Sequence, residues 1–237
     1  MLRIVESCIG AKALQLSRRE SSGNEHVREA TRRFSDEALD LERMFDGVAQ
    51  LAEEGMPTGY RFVHQGDDLS AFALGKSTWA VLALICQFEL SAMTYRRPGI
   101  EPGSRLSAVY EDALHLRSER AARHAVLAEI EWLREDERLA ARERDGAVDD
   151  LIELVQGVDA LLVFQAPSDV ECLAAGSRTS FTATEIDRLN KCVLSTYRTR
   201  HIASGLHHPH FTELIEGVVT EAQASRLRSE LAFCAEG

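Results

Sequence analysis

The run "TWAVLALICQFELSAMTY", Thr78 to Tyr95, decides the fold of this chain. From Trp79 to Phe88 it is apolar on nearly every side, the signature of a helix enclosed by other helices. A membrane span is the rival reading, because 18 residues approach the minimum spanning length. Gln87 and Glu89 inside the run, with Arg96 and Arg97 at its close, favour a buried central helix.

Working outward, Val27, Ala30, Phe34, Ala38, Leu41, Phe45, Val48 and Ala52 recur at spacings of three and four, the pattern of an amphipathic helix. "EEGMPTGY" ends it with Gly55, Pro57 and Gly59. "YRFVHQGDD" then reads as a loop or one brief strand, with Asp67 or Asp68 placed to cap the next helix. Downstream of the central run, "RRPGIEPGS" is a turn, and a long helix begins near Ser104. Its apolar stripe is Val109, Ala113, Leu116, Val126, Ile130 and Leu133. The stripe weakens around Arg120 and after Leu139, so the mixed-charge end is expected to project into solvent or break. Beyond Gly146, the positions Val148, Leu151, Ile152, Val155, Val158 and Leu162 mark a further helix, expected to end before "QAPSD".

The sharpest local signals lie near the C-terminal end. In "SFTATEID", Thr182 caps the next turn, Glu185 reaches back, and Phe181 and Ile186 stand where a hydrophobic staple requires them. That helix runs through Leu189, Val193 and Tyr197 to about Ser204, where Gly205 is placed to stop it. Pro209 suits the first turn of a short helix over "HFTELIEGV". "TEAQ", Thr220 to Gln223, is a second capping box, opening a terminal helix with Leu227 and Leu231 inside. No period of 20 to 50 residues recurs. The expectation is an all-α fold: one helical-bundle domain over 1–237 with six or seven helices, residues 1–25 forming a loosely attached segment.

Composition narrows the function classes. A net charge of -11 over 237 residues argues against a nucleic-acid or anionic-membrane binder, which needs a basic face. Arg outnumbers Lys 24 to 3, but the arginines interleave with acids rather than clustering. Cys8, Cys86, Cys172, Cys192 and Cys234 are odd in number, scattered and never CxxC, as expected of reduced cytoplasmic thiols packed as small apolar groups. "MLRIVESCIGAKALQLSRRE" lacks the unbroken apolar core of a secretory signal.

Three constellations bear on chemistry. "LGKST", Leu74 to Thr78, resembles the end of a phosphate-binding loop, but the pattern needs Gly where Ser70 stands and a strand before it. Lys76 and Ser77 are therefore expected to start or interrupt a helix. On the long helix, Glu111, Asp112 and His115 are spaced to share a face, as a helical ion pair; no Glu-x-x-His occurs anywhere, which disfavours a ferritin-type metal site. Glu89 is a carboxylate in an apolar helix. It lies either on a wetted edge with Gln87 and Arg96, or in a polar site within the core.

The third constellation is "YRTRHIASGLHHPHF", Tyr197 to Phe211. Tyr197 and His201 are four apart on the core stripe, flanked by Arg198 and Arg200 as candidate cofactor-binding cations. His201, His207, His208 and His210 form a candidate set for a transition metal, iron or zinc, or a capping hinge between helices. Glu89, Tyr197 and His201 are the candidate catalytic residues, around one chamber between two helices. These residues point to a small-molecule or cofactor-dependent helical enzyme, a metal-assisted oxidoreductase in its most specific form. The alternative is a non-catalytic interaction or scaffold protein that presents Arg117–Asp145 to another protein; a homo-oligomer is a further expectation.

Overall fold

A computed structural model of the chain describes residues 2–17, 25–55, 71–94, 105–177 and 180–232. The helix capping by Asp67 or Asp68 and the brief strand around 60–68 lie outside the described residues. Among the described residues there are nine α-helices and no strand. They are α1 (Leu2–Ser17), α2 (Glu25–Gly55), α3 (Thr78–Met93), α4 (Arg105–Asp136), α5 (Ala141–Gly176), α6 (Ala183–Arg198), α7 (Ser204–Leu206), α8 (Pro209–Val218) and α9 (Glu221–Ala232). A π-helical segment, Thr199–Ala203, joins α6 to α7. The all-α class is as the sequence indicates; the count exceeds six or seven because α1 is a helix and the α6 rod is subdivided.

The centre is α3. Every residue from Trp79 to Ala92 is buried, and α4, α5, the π segment, α7 and α8 all pack against it. No helix among the described residues is long and apolar enough to cross a membrane. Ser77 caps the helix, its hydroxyl accepting from Ala80 N–H, and its own N–H is bound by Asp150 at 2.8 Å. Lys76 pairs with Glu153 and Asp150, so this junction is lined by acids. At the same end Trp79 packs on Trp132 with ring centroids 5.0 Å apart. Trp79 Nε1 also donates to Asp136, the last residue of α4, which Arg144 grips with two further hydrogen bonds.

Three expectations change. Residues 2–17 are not loosely attached: α1 packs along α2, burying Ile9, Ala13 and Leu16, and Lys12 Nζ donates to Thr78 Oγ1 at 3.1 Å. The helix over Val148–Leu162 begins earlier, at Ala141, and runs through Pro167 to Gly176. A proline removes one backbone donor. Asp169 beyond it accepts from Gln165 and from Tyr197, tying that half of α5 to α6.

The third change is the face of α4. Val126, Ile130 and Leu133 point outward, Val126 being 54% exposed. The inward positions are Ala113, Arg117, Ala121, His124, Ala125, Ala128 and Trp132. Alanines let α4 approach α3 closely, and the charged residues between them enter a polar interior. Bulk hydrophobicity therefore marks the wrong side. The mixed-charge end breaks, the second of the two outcomes expected of it: α4 closes at Asp136 against Trp79 and α5 opens at Ala141.

Gly205 lies at the other tight approach. It is not a left-handed stop but the middle of α7, and a Cβ there would sit 2.2 Å from Gln87 O. No side chain fits without moving the rod off α3. Gly205→Ala is therefore expected to destabilise by about 1–3 kcal/mol through overpacking. Urea unfolding measures this; an unchanged midpoint would show that the approach is looser.

Candidate functional site

The polar residues of α3 divide between two faces. Gln87 and Ser91, one turn apart, face the π segment. Gln87 Nε2 donates to Ile202 O at 2.9 Å and to His201 O at 3.3 Å, and Ser91 Oγ donates to Arg200 O at 2.7 Å. A π segment breaks the regular helical ladder, and these side chains engage the carbonyls it presents. Ser91 also bonds Ser204 Oγ at 2.6 Å. This face is a clamp.

Glu89, two residues from Gln87, lies about 200° around the helix. It is 1% exposed, so the wetted-edge alternative is excluded. Neither of its carboxyl oxygens has a hydrogen-bond partner among the described residues. Among the described residues His124 on α4 stands beside it, with Nδ1 3.6 Å from Glu89 Oε1, too long for a direct hydrogen bond. His124 is itself 1% exposed and stacks on Phe34 with ring centroids 4.1 Å apart. Its other nitrogen, Nε2, lies 2.8 Å from Glu37 Oε2.

Around this pair stand charges from three helices. Arg117 of α4 donates through Nε to Glu6 Oε1 at 2.7 Å; Glu6 is 0% exposed, and its Oε2 has no partner among the described residues. Burial pushes the Glu6 carboxyl up to about 7 despite Arg117, with the charge of Glu89 adding to the rise. Glu37 of α2 sits at the rim, where Arg123 and Arg33 bind it at 2.6 Å and 3.0 Å. Burial alone would raise its pKa, but hydrogen bonds from Arg123, His124 and Arg33 hold it down to about 2.

His201 and Tyr197 are neighbours, ring centroids 6.3 Å apart and edge-on. They belong to the rod clamped on the Gln87 and Ser91 face, whereas Glu89 meets His124 on the other. Burial drops the pKa of His201 to about 3, helped by the positive charges of Arg117 and Arg200. The Tyr197 hydroxyl donates to Asp169 at 2.5 Å, and burial together with that carboxylate raises its pKa. Arg198 binds Asp159 of α5 by two hydrogen bonds of 2.7 Å and 2.9 Å, tying the two helices together. Arg200 contributes its carbonyl to the clamp while its side chain is exposed.

The four histidines do not converge. His207 is exposed; His208 caps α8, its Nδ1 accepting from His210 N–H at 3.3 Å; His210 pairs with Glu129 at 2.8 Å on the surface. Among the described residues no group of three or more His, Cys, Asp or Glu is arranged to hold a metal ion. His208 has the capping role that the hinge alternative gives it, with Pro209 in the first turn of α8. His115 pairs with Glu119, one turn on, at 3.2 Å. Cys86 is buried in the core, and burial drives its pKa up to about 12, so it is no thiolate nucleophile.

Glu6, Glu37, Arg117 and His124 escape a reading based on apolar stripes. Their signal is different: Arg117 and His124 fall at the same helical spacing as Ala113, Ala121 and Ala128. Tracing small residues instead of large ones identifies the inner face of α4.

The shifted groups fix the pH dependence of stability. His201 protonates more readily when unfolded, so its contribution is lost as pH falls from 6.5 toward 3. Glu37, ionised more readily when folded, loses its contribution as pH falls from 4.5 toward 2. Glu6 acts oppositely, losing stability as pH rises from 4.5 toward 7. Unfolding midpoints are therefore expected to be nearly level from about pH 4.5 to 6.5, where Glu6 and His201 oppose each other, and to fall below that window. His201→Phe should turn the level region into a decline with rising pH; retention of the wild-type profile would contradict the assignment.

No family model matches the chain, no curated protein matches it, and no solved structure matches it.

Proposed function

We propose that this protein is an enzyme that transfers protons to and from a small polar molecule inside the bundle, with Glu89 as its acid–base group. One observation carries the reading: a fully buried carboxyl whose two oxygens have no hydrogen-bond partner among the described residues. Burying a carboxyl that makes no hydrogen bond costs on the order of a few kcal/mol, and structural carboxyls in cores are hydrogen-bonded. A group kept where it weakens the fold is the usual mark of an active site. Glu6 and Arg117 form the charged wall beside it, with the second unsatisfied oxygen, Glu6 Oε2, available to a ligand. The π segment holds α3 in place through its carbonyls, which accept from Gln87 and Ser91.

The reading makes paired demands on one position. Glu89→Met, of similar volume, is expected to raise stability at neutral pH by about 1–4 kcal/mol, measured by urea unfolding. Loss of stability would make Glu89 a structural partner. Glu89→Gln is the functional test: incubated with a cell metabolite extract and followed by mass spectrometry, wild type should consume at least one compound that the variant consumes about 10²-fold or more slowly. Identical profiles would remove the function.

A second reading, an interaction protein, draws support from apolar residues left outside. Val126, Ile130 and Leu133 form a stripe on α4, and Val163, Phe164 and Leu173 lie exposed along α5. On this reading light scattering should find a dimer that Ile130→Glu dissociates. A monomer at all concentrations would count against self-association.

A further inference from the structure

Glu37 is an acceptor only. Arg33 and Arg123 both bind its carboxylate, and the carboxylate stays ionised throughout the physiological range. The 2.8 Å contact from His124 Nε2 to Glu37 Oε2 must therefore place a proton on Nε2, because two acceptors do not hydrogen-bond. Nδ1 is then the nitrogen turned toward Glu89, 3.6 Å from Oε1. The Phe34 ring, 4.1 Å away centroid to centroid, braces the imidazole from one side. Arg120 binds the backbone carbonyl of Glu37 at 3.1 Å, fixing α2 to α4 at this point.

We infer that Glu37 is a positioning residue that fixes the tautomer of His124, so that Nδ1 is presented to Glu89 as the acceptor of its proton. The inference deepens the acid–base reading of Glu89 and rests on it. The step balances without any further reagent: the proton leaves a Glu89 carboxyl oxygen, a new N–H forms at Nδ1, and the imidazolium is held between two carboxylates. When the proton returns, Glu89 is again the acid. The 3.6 Å separation closes by a small side-chain rotation, as catalytic contacts tighten when a ligand is bound. Glu37 keeps its charge throughout, the role that a buried aspartate has toward a catalytic histidine.

The test reads the tautomer directly. Long-range proton–nitrogen correlation spectra on ¹⁵N-labelled full-length protein at mildly alkaline pH distinguish a protonated ring nitrogen from a bare one. His124 is identified by its through-space contacts with the Phe34 ring. In wild type, Nε2 should carry the proton and Nδ1 should be bare. Glu37→Gln, whose amide both donates and accepts, should lose that single pattern and admit the Nδ1–H form, while Glu37→Asp should keep it. Consumption of the compound found by metabolite profiling should slow by about 10²–10⁴-fold in Glu37→Gln and recover in Glu37→Asp. A protonated Nδ1 in wild type, or a Glu37→Gln spectrum identical to wild type, overturns the inference. Because the wild-type spectrum needs no variant to fold, that result stands alone. Failure of the acid–base reading shows separately, as equal turnover by wild type and Glu89→Gln.

Discussion

An apolar helix with no wet side must be covered everywhere, and that requirement organises this bundle. α3 is buried from Trp79 to Ala92, so each neighbour must come close, and closeness selects small residues. On one side Gly205 allows a helical rod to rest directly on the Gln87 backbone. On another, Ala125 and Ala128 let α4 lie against it. Every polar group within α3 must then be answered by a neighbour. Gln87 and Ser91 are answered by carbonyls of the π segment, whereas Glu89 has no hydrogen-bond partner among the described residues and faces the imidazole of His124 at 3.6 Å.

The same packing explains the electrostatic asymmetry of the interior. Glu37 reaches the rim, where arginines from α2 and α4 surround it, and its carboxyl is strongly acidic. Glu6 lies deeper with one guanidinium, and burial outweighs that partner. Carboxyls of one type thus acquire opposite behaviour within one site. Environments that push like groups apart assign acid, base and supporting roles in enzymes generally. In this bundle the imidazole of His124 stands between the rim carboxylate and the interior one.

Much of the fold was legible because its signals are local. The all-round apolar run gave α3, and Thr182 with Glu185 marked the start of α6, where both hydrogen bonds of the capping box are present. Thr220 and Gln223 likewise open α9. Gly205 was a correct signal with another cause: contact with Gln87 instead of backbone conformation. The inner face of α4 was hidden because most of its positions are small or charged, while the bulky Val126, Ile130 and Leu133 face outward. Of the candidate site, Glu89 stands out from sequence alone, as an acid in an apolar run. Its partners do not, since Glu6, Glu37 and His124 are brought together by packing of α1, α2 and α4 across long separations. The histidine cluster drew attention by density along the chain, yet adjacent positions in a hinge point apart; His208 and His210 serve a helix cap and a surface pair.

Among the described residues Glu89 lies in the interior with no hydrogen-bond donor, and we propose that it is kept there for chemistry. An atomic-resolution crystal structure of the full chain tests it most directly. The account predicts a Glu89 carboxyl facing His124 Nδ1, with ordered non-protein density against its oxygens and no lysine or arginine bonded to them. A Glu89 side chain turned to solvent, or locked to a protein cation with all its oxygens satisfied, would contradict it.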